Sequence, residues 1–399
     1  MHKNINANQN YTIGIVSNST WYTYNFRLGL IRTLMRLGFK VVVIAPKDHY
    51  SSKLIAEGIG FQHIALNVYS TNPLKELDYI RKLAVLYKRH QLDFIFHYTA
   101  KPNVYGSIAA WWTRIPSIAI TTGLGVLREE KDRVSKHVLR TFYRIAGWLS
   151  KEVWFLNQDD QDLFLKHRIV AAKKTALLPS EGVDISWYQP IEAQKSATQS
   201  FRFLLATRLV WSKGVKEFYE AAKYFKKYYP NVRFQLAGFI VPEHPDGVSY
   251  DLVQRWQKEG IVEYLGEIED IRPLIANADA VLLPSFFGEG VPRVLLEAAS
   301  MARPIITTDY IGCKEVVQHG VNGFLCKARS IKDLINKLEL FIDLPASERT
   351  RMGLAGRRMI LERFDEDLII QHYLKALKRH LPAVHIGGKA VQSRLSSQR

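Results

Sequence analysis

The chain reads as two doubly wound, Rossmann-like α/β domains facing across a cleft, and three observations lead there. Short, continuously apolar runs recur between segments of helical periodicity, as expected for strands buried on both faces of a parallel sheet. The alternation breaks in the polar, proline-containing stretch EGVDISWYQPIEAQKSATQS (181–200) and then restarts. The 399 residues exceed what one hydrophobic core usually serves, and 47% of them are hydrophobic, enough for two.

In the first half the predicted strands are YTIGIVS (11–17), KVVVIA (40–45), DFIFHY (93–98), SIAIT (117–121) and EVWFL (152–156). Between them FRLGLIRTLMRLG (26–38) carries Leu30, Leu34 and Leu37 at helical spacing and stops at Gly38. Segments 73–90 and 102–114 each begin with or near a proline, which a first helical turn accepts. The second half predicts strands FRFLLA (201–206), VRFQLAG (232–238), VEYLG (262–266), AVLLP (280–284) and PIITT (304–308). Helices are predicted over roughly 214–229, 249–260 and 292–302, and 345–380 reads as helical with no strand after it. The expected organisation is a disordered tail 1–10, an N-terminal domain 11–185, a linker 186–200, a C-terminal domain 201–365, a helix 366–383 crossing back to the first domain, and a disordered basic tail 384–399. Ligands of open α/β sheets lie beyond the carboxyl ends of the strands, so the cleft is the expected site.

Composition narrows the function classes. The two cysteines, Cys313 and Cys326, form no CxxC or Cys/His cluster, which argues against a disulfide framework or structural zinc and fits a reducing cytoplasm. The first ten residues lack the apolar core of a signal peptide, and no apolar stretch is long enough to span a membrane. The formal charge is +17, and residues 1–150 hold 20 Lys+Arg against 8 Asp+Glu, or +12 of it. That half is expected to face something anionic. There is no zinc-finger, RRM or KH signature and no compact basic segment, so a membrane surface or phosphate ligands fit better than nucleic acid.

The stretch FFGEGVPRVLLEAAS (286–300) carries the chemistry. AVLLP ends a strand, SFFGEG forms the loop beyond it, and Pro292 suits the first helical position, placing Glu289 just outside the helix and Glu297 in its second turn. The residue before Pro292 is Val291, so no side-chain oxygen caps the first turn, and the backbone N–H groups and helix dipole suit a diphosphate. Acids on both sides would repel that anion unless they bind neutral parts of the same molecule, and sugar hydroxyls are such parts. Ribose at one glutamate, diphosphate at the helix start and hexose at the other describe a nucleotide sugar. Upstream, ATRLVWSKGVKEF (206–218) puts Arg208 at a strand end and Lys213 before Gly214, two cations able to stabilise a departing diphosphate.

Residues 284–325, PSFFGEGVPRVLLEAASMARPIITTDYIGCKEVVQHGVNGFL, resemble the signature of the retaining glycosyltransferases of family 4, which have the GT-B fold. The likeness lies in the E-x7-E spacing, the EG.P..LLEA core and the G..E.V..G.NG.L series that follows. It implies that Glu297 binds the ribose, Glu289 the transferred sugar, and Arg208 and Lys213 the diphosphate. Gly290, Val291, Pro292, Gly266 and Ile268 are further donor-binding candidates by the same resemblance. In the first half, YTAKPNVYGSIAA (98–110), TTGLG (121–125), FLNQDDQDLF (155–164) and LLPSEGVD (177–184) look like a subgroup making bacterial capsule, O-antigen and lipid-linked oligosaccharides. The resemblance then spans nearly all of 11–380.

Lys101, Asn103, Thr122 and Gly123, with the rest of the loop to Gly125, lie at predicted strand ends and are candidates either for acceptor or donor contacts or for structural turns. Two departures matter. SNSTWYTYNFR (17–27) stands where many family members carry a Gly-Gly loop, and TTGLG lacks the family's histidine, so no catalytic histidine is carried over. Asn18, Asn25 and Arg27 are candidates to line the cleft, Asn25 equally to start a helix. Asp160 and Asp162 form a D-x-D of the kind that holds a divalent metal elsewhere, but after Asn157 they read as acids of a first helical turn, and no metal is expected. His97 reads as a strand-end histidine.

The expectation is a cytoplasmic, metal-independent, retaining glycosyltransferase without a cofactor, peripheral at the inner face of the cell membrane. It would move a hexose or N-acetylhexosamine from a UDP-sugar to a polyprenyl-diphosphate-linked glycan in bacterial surface polysaccharide synthesis. The alternatives are a nucleotide-sugar epimerase or hydrolase using the same half-site, or a noncatalytic sugar-nucleotide or lipid-binding subunit. In KDRVSKHVLRTFYRIAGWLSK (131–151), Val138, Phe142, Ile145 and Leu149 share one helical side, flanked by Lys131, Arg133, Lys136, Arg140, Arg144 and Lys151. Such a segment suits either an anionic leaflet or a core helix with a solvated basic edge.

Overall fold

The computed structural model describes residues 11–67, 72–125, 127, 133–192, 200–381 and 384. The expected tail 1–10, the tail beyond 384, Lys131, the side chain of Arg133 and positions 193–199 of the expected linker lie outside the described residues. The chain divides into two compact units at Gly182/Val183 and again at Asp365/Glu366, so the helix Glu366–His380 belongs with the first unit.

The first unit is built on a seven-stranded sheet: β1 (Thr12–Val16), β2 (Lys40–Ala45), β3 (Gly60–His63), β4 (Phe94–Tyr98), β5 (Ser117–Thr121), β6 (Glu152–Phe155) and β7 (Thr175–Leu177), in the order β3-β2-β1-β4-β5-β6-β7. The second has six strands: β8 (Phe201–Ala206), β9 (Val232–Ala237), β10 (Glu263–Gly266), β11 (Ala280–Leu283), β12 (Ile305–Thr308) and β13 (Gly323–Cys326), in the order β10-β9-β8-β11-β12-β13. Every pairing between these strands is parallel, which gives two doubly wound α/β units of the predicted class. Central strands such as β1, β4, β5 and β11 are buried along their whole length, as their continuous apolar sequences require.

The strands that periodicity does not reveal are β3, β7 and β13. They are three of the four edge strands, GFQH, TAL and GFLC, too short or too polar to make a buried run. The first helix is Thr20–Arg36 and begins well before residue 26; Ser19 caps it, its Oγ accepting from the Tyr22 amide at 3.1 Å. Asn25 therefore does not start a helix; it lies within one and donates to the Trp21 carbonyl at 2.9 Å. Segment 102–114 is a π-helical turn, Pro102–Gly106, running into the helix Ser107–Thr113. Segment 345–380 is two helices, Ala346–Arg363 and Glu366–His380.

The helix Glu366–His380 is anchored in the first unit at its middle and its C-terminal end. Arg379 and His380 bond the Glu152 carboxylate at 2.8 and 2.7 Å, and Tyr373 packs edge-on against Phe96 and Trp154, with ring centroids 5.0 and 5.1 Å away. Beside Tyr373 lies a buried ion pair: Arg27 bonds Glu181 at 2.6 Å, donates to the Tyr22 hydroxyl at 2.7 Å and stands 4.4 Å over the Tyr98 ring. Arg27 and Glu181 are 1% and 7% exposed, so removal of one charge strands the other. Glu181→Gln is expected to lower the unfolding free energy by about 3 kcal/mol in urea titration. The double variant Arg27→Leu with Glu181→Leu should lose less than Glu181→Gln alone.

Candidate active site

In the second unit, neighbouring strands run in opposite chain order on either side of β8 and β11, and a ligand site is expected beyond the carboxyl ends of that pair. Arg208 is exposed just past the end of β8. Burial, helped by the Arg208 charge, holds the nearby His244 imidazole below its ordinary pKa. The next turn, Trp211–Lys213, is fixed by the 241–247 loop. The Trp211 amide donates to the Asp246 carbonyl at 2.9 Å and the Ser212 amide to the Asp246 carboxylate at 2.8 Å. Gly214 follows with φ +79, and a Cβ there would stand 2.2 Å from the Pro284 carbonyl oxygen, so this turn packs directly on the end of β11.

That approach brings Lys213 into an ion pair with Glu289, both side chains only 12% exposed. The buried Ser285 hydroxyl donates to the other Glu289 oxygen at 2.8 Å, and Thr308 at the end of β12 donates to the Ser285 carbonyl. Gly312, with φ +80, would put a Cβ 2.5 Å from the Gly290 carbonyl oxygen and 2.7 Å from that of Glu289. The glycine after β12 is thus a close packing requirement of the Glu289 loop. Burial, reinforced by the Glu289 carboxylate, pushes the neighbouring Cys313 thiol up to about 12, so it stays protonated.

The helix that follows is Arg293–Ser300, with Pro292 (φ −64, ψ 123) as the residue before it and no side-chain cap. Pro292 is therefore not the first helical residue, because its ψ is extended; Glu297 still falls in the second turn. Gly290, Val291 and Pro292 are buried against this start. Glu297 is itself buried and meets Arg293, one turn earlier, at 3.2 Å. Burial raises its carboxyl pKa, opposed by Arg293 and by a hydrogen bond with Tyr188. The Tyr188 phenol is pushed well up by burial and by that carboxylate. Tyr188 is held from behind, its carbonyl accepting from Ser300 at 2.7 Å and Arg357 at 3.1 Å. Gly266 ends β10 with φ +74 and open space where a Cβ would lie, and Ile268 is half-buried just beyond.

In the first unit the candidates have mainly local partners. Lys101 pairs with Glu76 at 2.6 Å and donates to the Asn67 carbonyl at 2.8 Å. Asn103 is buried and donates to the Ile120 carbonyl at 2.8 Å. Asn18, Thr122 and Gly123 are half-buried just past β1 and β5. His97 bonds the Tyr87 hydroxyl at 3.0 Å, and burial lowers its pKa to about 3, so it is a neutral packing residue. Asp160 lies buried in the first turn of the helix Gln158–Lys166, capped by Asn157, and Asp162 accepts from Gln158 at 2.7 Å. Among the described residues no group of three or more His, Cys, Asp or Glu is placed to hold a metal ion.

Ser285, Tyr188 and Asp246 are supporting residues that sequence reasoning missed. Arg293 was accessible to it, standing four residues before Glu297 on the same helix.

Two family models match the chain: glycosyl transferases group 1 over residues 190–359, and glycosyl transferase 4-like over residues 13–151. The N,N'-diacetylbacillosaminyl-diphospho-undecaprenol alpha-1,3-N-acetylgalactosaminyltransferase of Campylobacter jejuni is 30% identical over 382 residues, covering 92% of this chain and 98% of that protein. The UDP-Gal:alpha-D-GlcNAc-diphosphoundecaprenol alpha-1,3-galactosyltransferase of Escherichia coli is 26% identical over 280 residues, 66% of this chain and 70% of that one. The crystal structure of Anabaena HepE in complex with UDP superposes with a TM-score of 0.74 at 23% identity, over 92% of this chain and 100% of that one, a likeness in the GT-B fold.

Tyr188→Phe removes one hydrogen-bond donor from Glu297 without changing its size. The Glu297 carboxyl pKa, which that hydrogen bond lowers, is expected to rise further, as read by NMR titration of the carboxyl group.

Proposed function

This chain belongs to the group 1 glycosyl transferases, and we propose that it is a retaining enzyme moving a hexose or N-acetylhexosamine from a UDP-sugar to a polyprenyl-diphosphate-linked glycan. The observation that carries the reading is the arrangement of Glu289 and Glu297 on either side of a helix start without a side-chain cap, with Lys213 drawn against Glu289. Glu297 takes the ribose hydroxyls, the helix start and Lys213 take the diphosphate, and Glu289 takes hydroxyls of the transferred sugar. The two relatives' names supply the acceptor class, a glycan on diphospho-undecaprenol, and one supplies a UDP-linked donor. The α linkage in both names is what retention gives from an α-linked donor. With such an acceptor the enzyme would work at the inner face of the cell membrane in bacterial surface polysaccharide synthesis.

Transfer proceeds on one face of the donor. As the bond between the anomeric carbon and the diphosphate breaks, negative charge grows on the departing oxygen, where Arg208, Lys213 and the helix start stabilise it. The acceptor hydroxyl forms the new bond on the same face and gives its proton to that oxygen, so no further base is required. Purified enzyme with UDP-sugars and a polyprenyl-diphosphate glycan is expected to release UDP and extend the glycan. Free sugar without extension would mark a hydrolase, and an isomerised donor an epimerase.

Arg208→Ala and Lys213→Ala are each expected to lower kcat about a hundredfold or more with smaller changes in donor KM. Glu297→Ala should instead raise donor KM roughly tenfold, because its contact is made equally in ground and transition states. A transfer rate near wild type in Arg208→Ala would refute the assignment. Turnover should also survive EDTA; complete loss with rescue by manganese or magnesium would overturn the metal-independent reading and reopen the structural reading of Asp160 and Asp162.

A further inference from the structure

The helix Arg133–Leu149 is apolar on two sides, and only one of them enters the core. Tyr143 and Ala146 are buried with Val104, Phe155, Phe164 and Ile169. The other side, Val138, Phe142, Ile145 and Trp148, is exposed, Trp148 at 72%. Leu149, which helical spacing groups with that stripe, is half-buried, and Trp148 stands exposed in its place. The helix Ser107–Thr113 packs alongside and presents Trp111 and Trp112, 57% and 58% exposed. The Phe142 ring meets Tyr105 edge-on at 6.2 Å, so the apolar stripe borders the turn from which the second helix runs.

We propose that these two helices form the face by which the protein docks on an anionic phospholipid bilayer, with Trp111, Trp112 and Trp148 seated at the lipid headgroup level. An isolated exposed apolar residue needs no explanation, but three tryptophans with an aliphatic stripe on adjoining helices form a patch of the kind that binds something. Tryptophan, with an apolar ring and one N–H, favours the membrane interface. Charge decides the occupant. Residues 133–151 contain Arg133, Lys136, Arg140, Arg144 and Lys151 and no aspartate or glutamate. Arg140 and Arg144 lie against the His167–Arg168 turn, at 3.2 Å from the His167 ring and 3.4 Å from the Arg168 carbonyl, where Lys166 and Arg168 are also exposed. A second copy of the chain docked symmetrically here would set this basic rim against itself, whereas an anionic leaflet neutralises it.

Docking of this kind rests on the proposed transfer to a lipid-linked acceptor for its purpose, yet it is measured on vesicles without substrate. The full chain is expected to cosediment with vesicles of phosphatidylglycerol and phosphatidylcholine in equal parts, not with phosphatidylcholine alone, and less as salt rises. Brominated acyl chains should quench its tryptophan fluorescence. Arg140→Glu with Arg144→Glu should weaken sedimentation about tenfold or more, and Trp111→Ala with Trp112→Ala and Trp148→Ala to a similar degree. All these positions lie outside the donor site, so transfer to a water-soluble short-chain acceptor should persist in both variants. Equal sedimentation with neutral and anionic vesicles, sedimentation unchanged in both variants, or a dimer that the tryptophan variant abolishes would overturn the docking face. Vesicle binding through these residues by an enzyme inactive on every lipid-linked acceptor would overturn the acceptor reading alone.

Discussion

Parallel pairing constrains everything else in this molecule. A parallel strand needs a crossover to reach its neighbour, and here the crossovers cover the sheet faces with helices, so the central strands carry apolar side chains on both sides. Polar chemistry is displaced to the strand ends. Arg208 follows β8, Ser285 and Glu289 follow β11, and Thr308 ends β12, three adjacent strands in the second sheet. The Lys213 turn reaches the same place because Gly214 lets it lie against the carbonyl of Pro284.

Crowding acids and cations at one strand end would be costly if any stood alone in a half-buried place. Each acid has partners: Glu289 has Lys213 and Ser285, and Glu297 has Arg293 and Tyr188. These contacts set the carboxylates in position and leave them further lone pairs. They also explain how a helix start without a side-chain cap coexists with two carboxylates. The carboxylate charges are balanced locally by Lys213 and Arg293.

The first unit meets a different problem, since a helix from the far end of the chain must be held against its sheet. Tyr373 on Phe96 and Trp154, and Arg379 with His380 on Glu152, fix the helix Glu366–His380 in place. The Arg27–Glu181 pair ties the first helix to the segment just before the crossing at Gly182/Val183. Among the described residues of that unit, the apolar side chains left exposed include the outer stripe of the helix Arg133–Leu149 and its neighbouring tryptophans.

The sequence by itself determined the βαβ alternation, the division into two α/β units, and a segment in which two glutamates bracket a helix start. These are properties of neighbouring residues: a strand buried on both faces shows as a continuous apolar run, and Arg293 lies one helical turn from Glu297. Edge strands β3, β7 and β13 escaped, because a strand exposed on one side or only a few residues long leaves no such run. The start of the helix at Thr20 escaped as well, since TWYTYNF has no apolar stripe and only the Ser19 cap marks it. Tertiary structure alone decided that Lys213 would meet Glu289, that Tyr188 would hold Glu297, and that Gly312 would press on the Glu289 loop. It also decided which apolar side of the helix Arg133–Leu149 enters the core. Periodicity registers which residues share a face, but the partner of that face comes from distant chain brought near by the sheet.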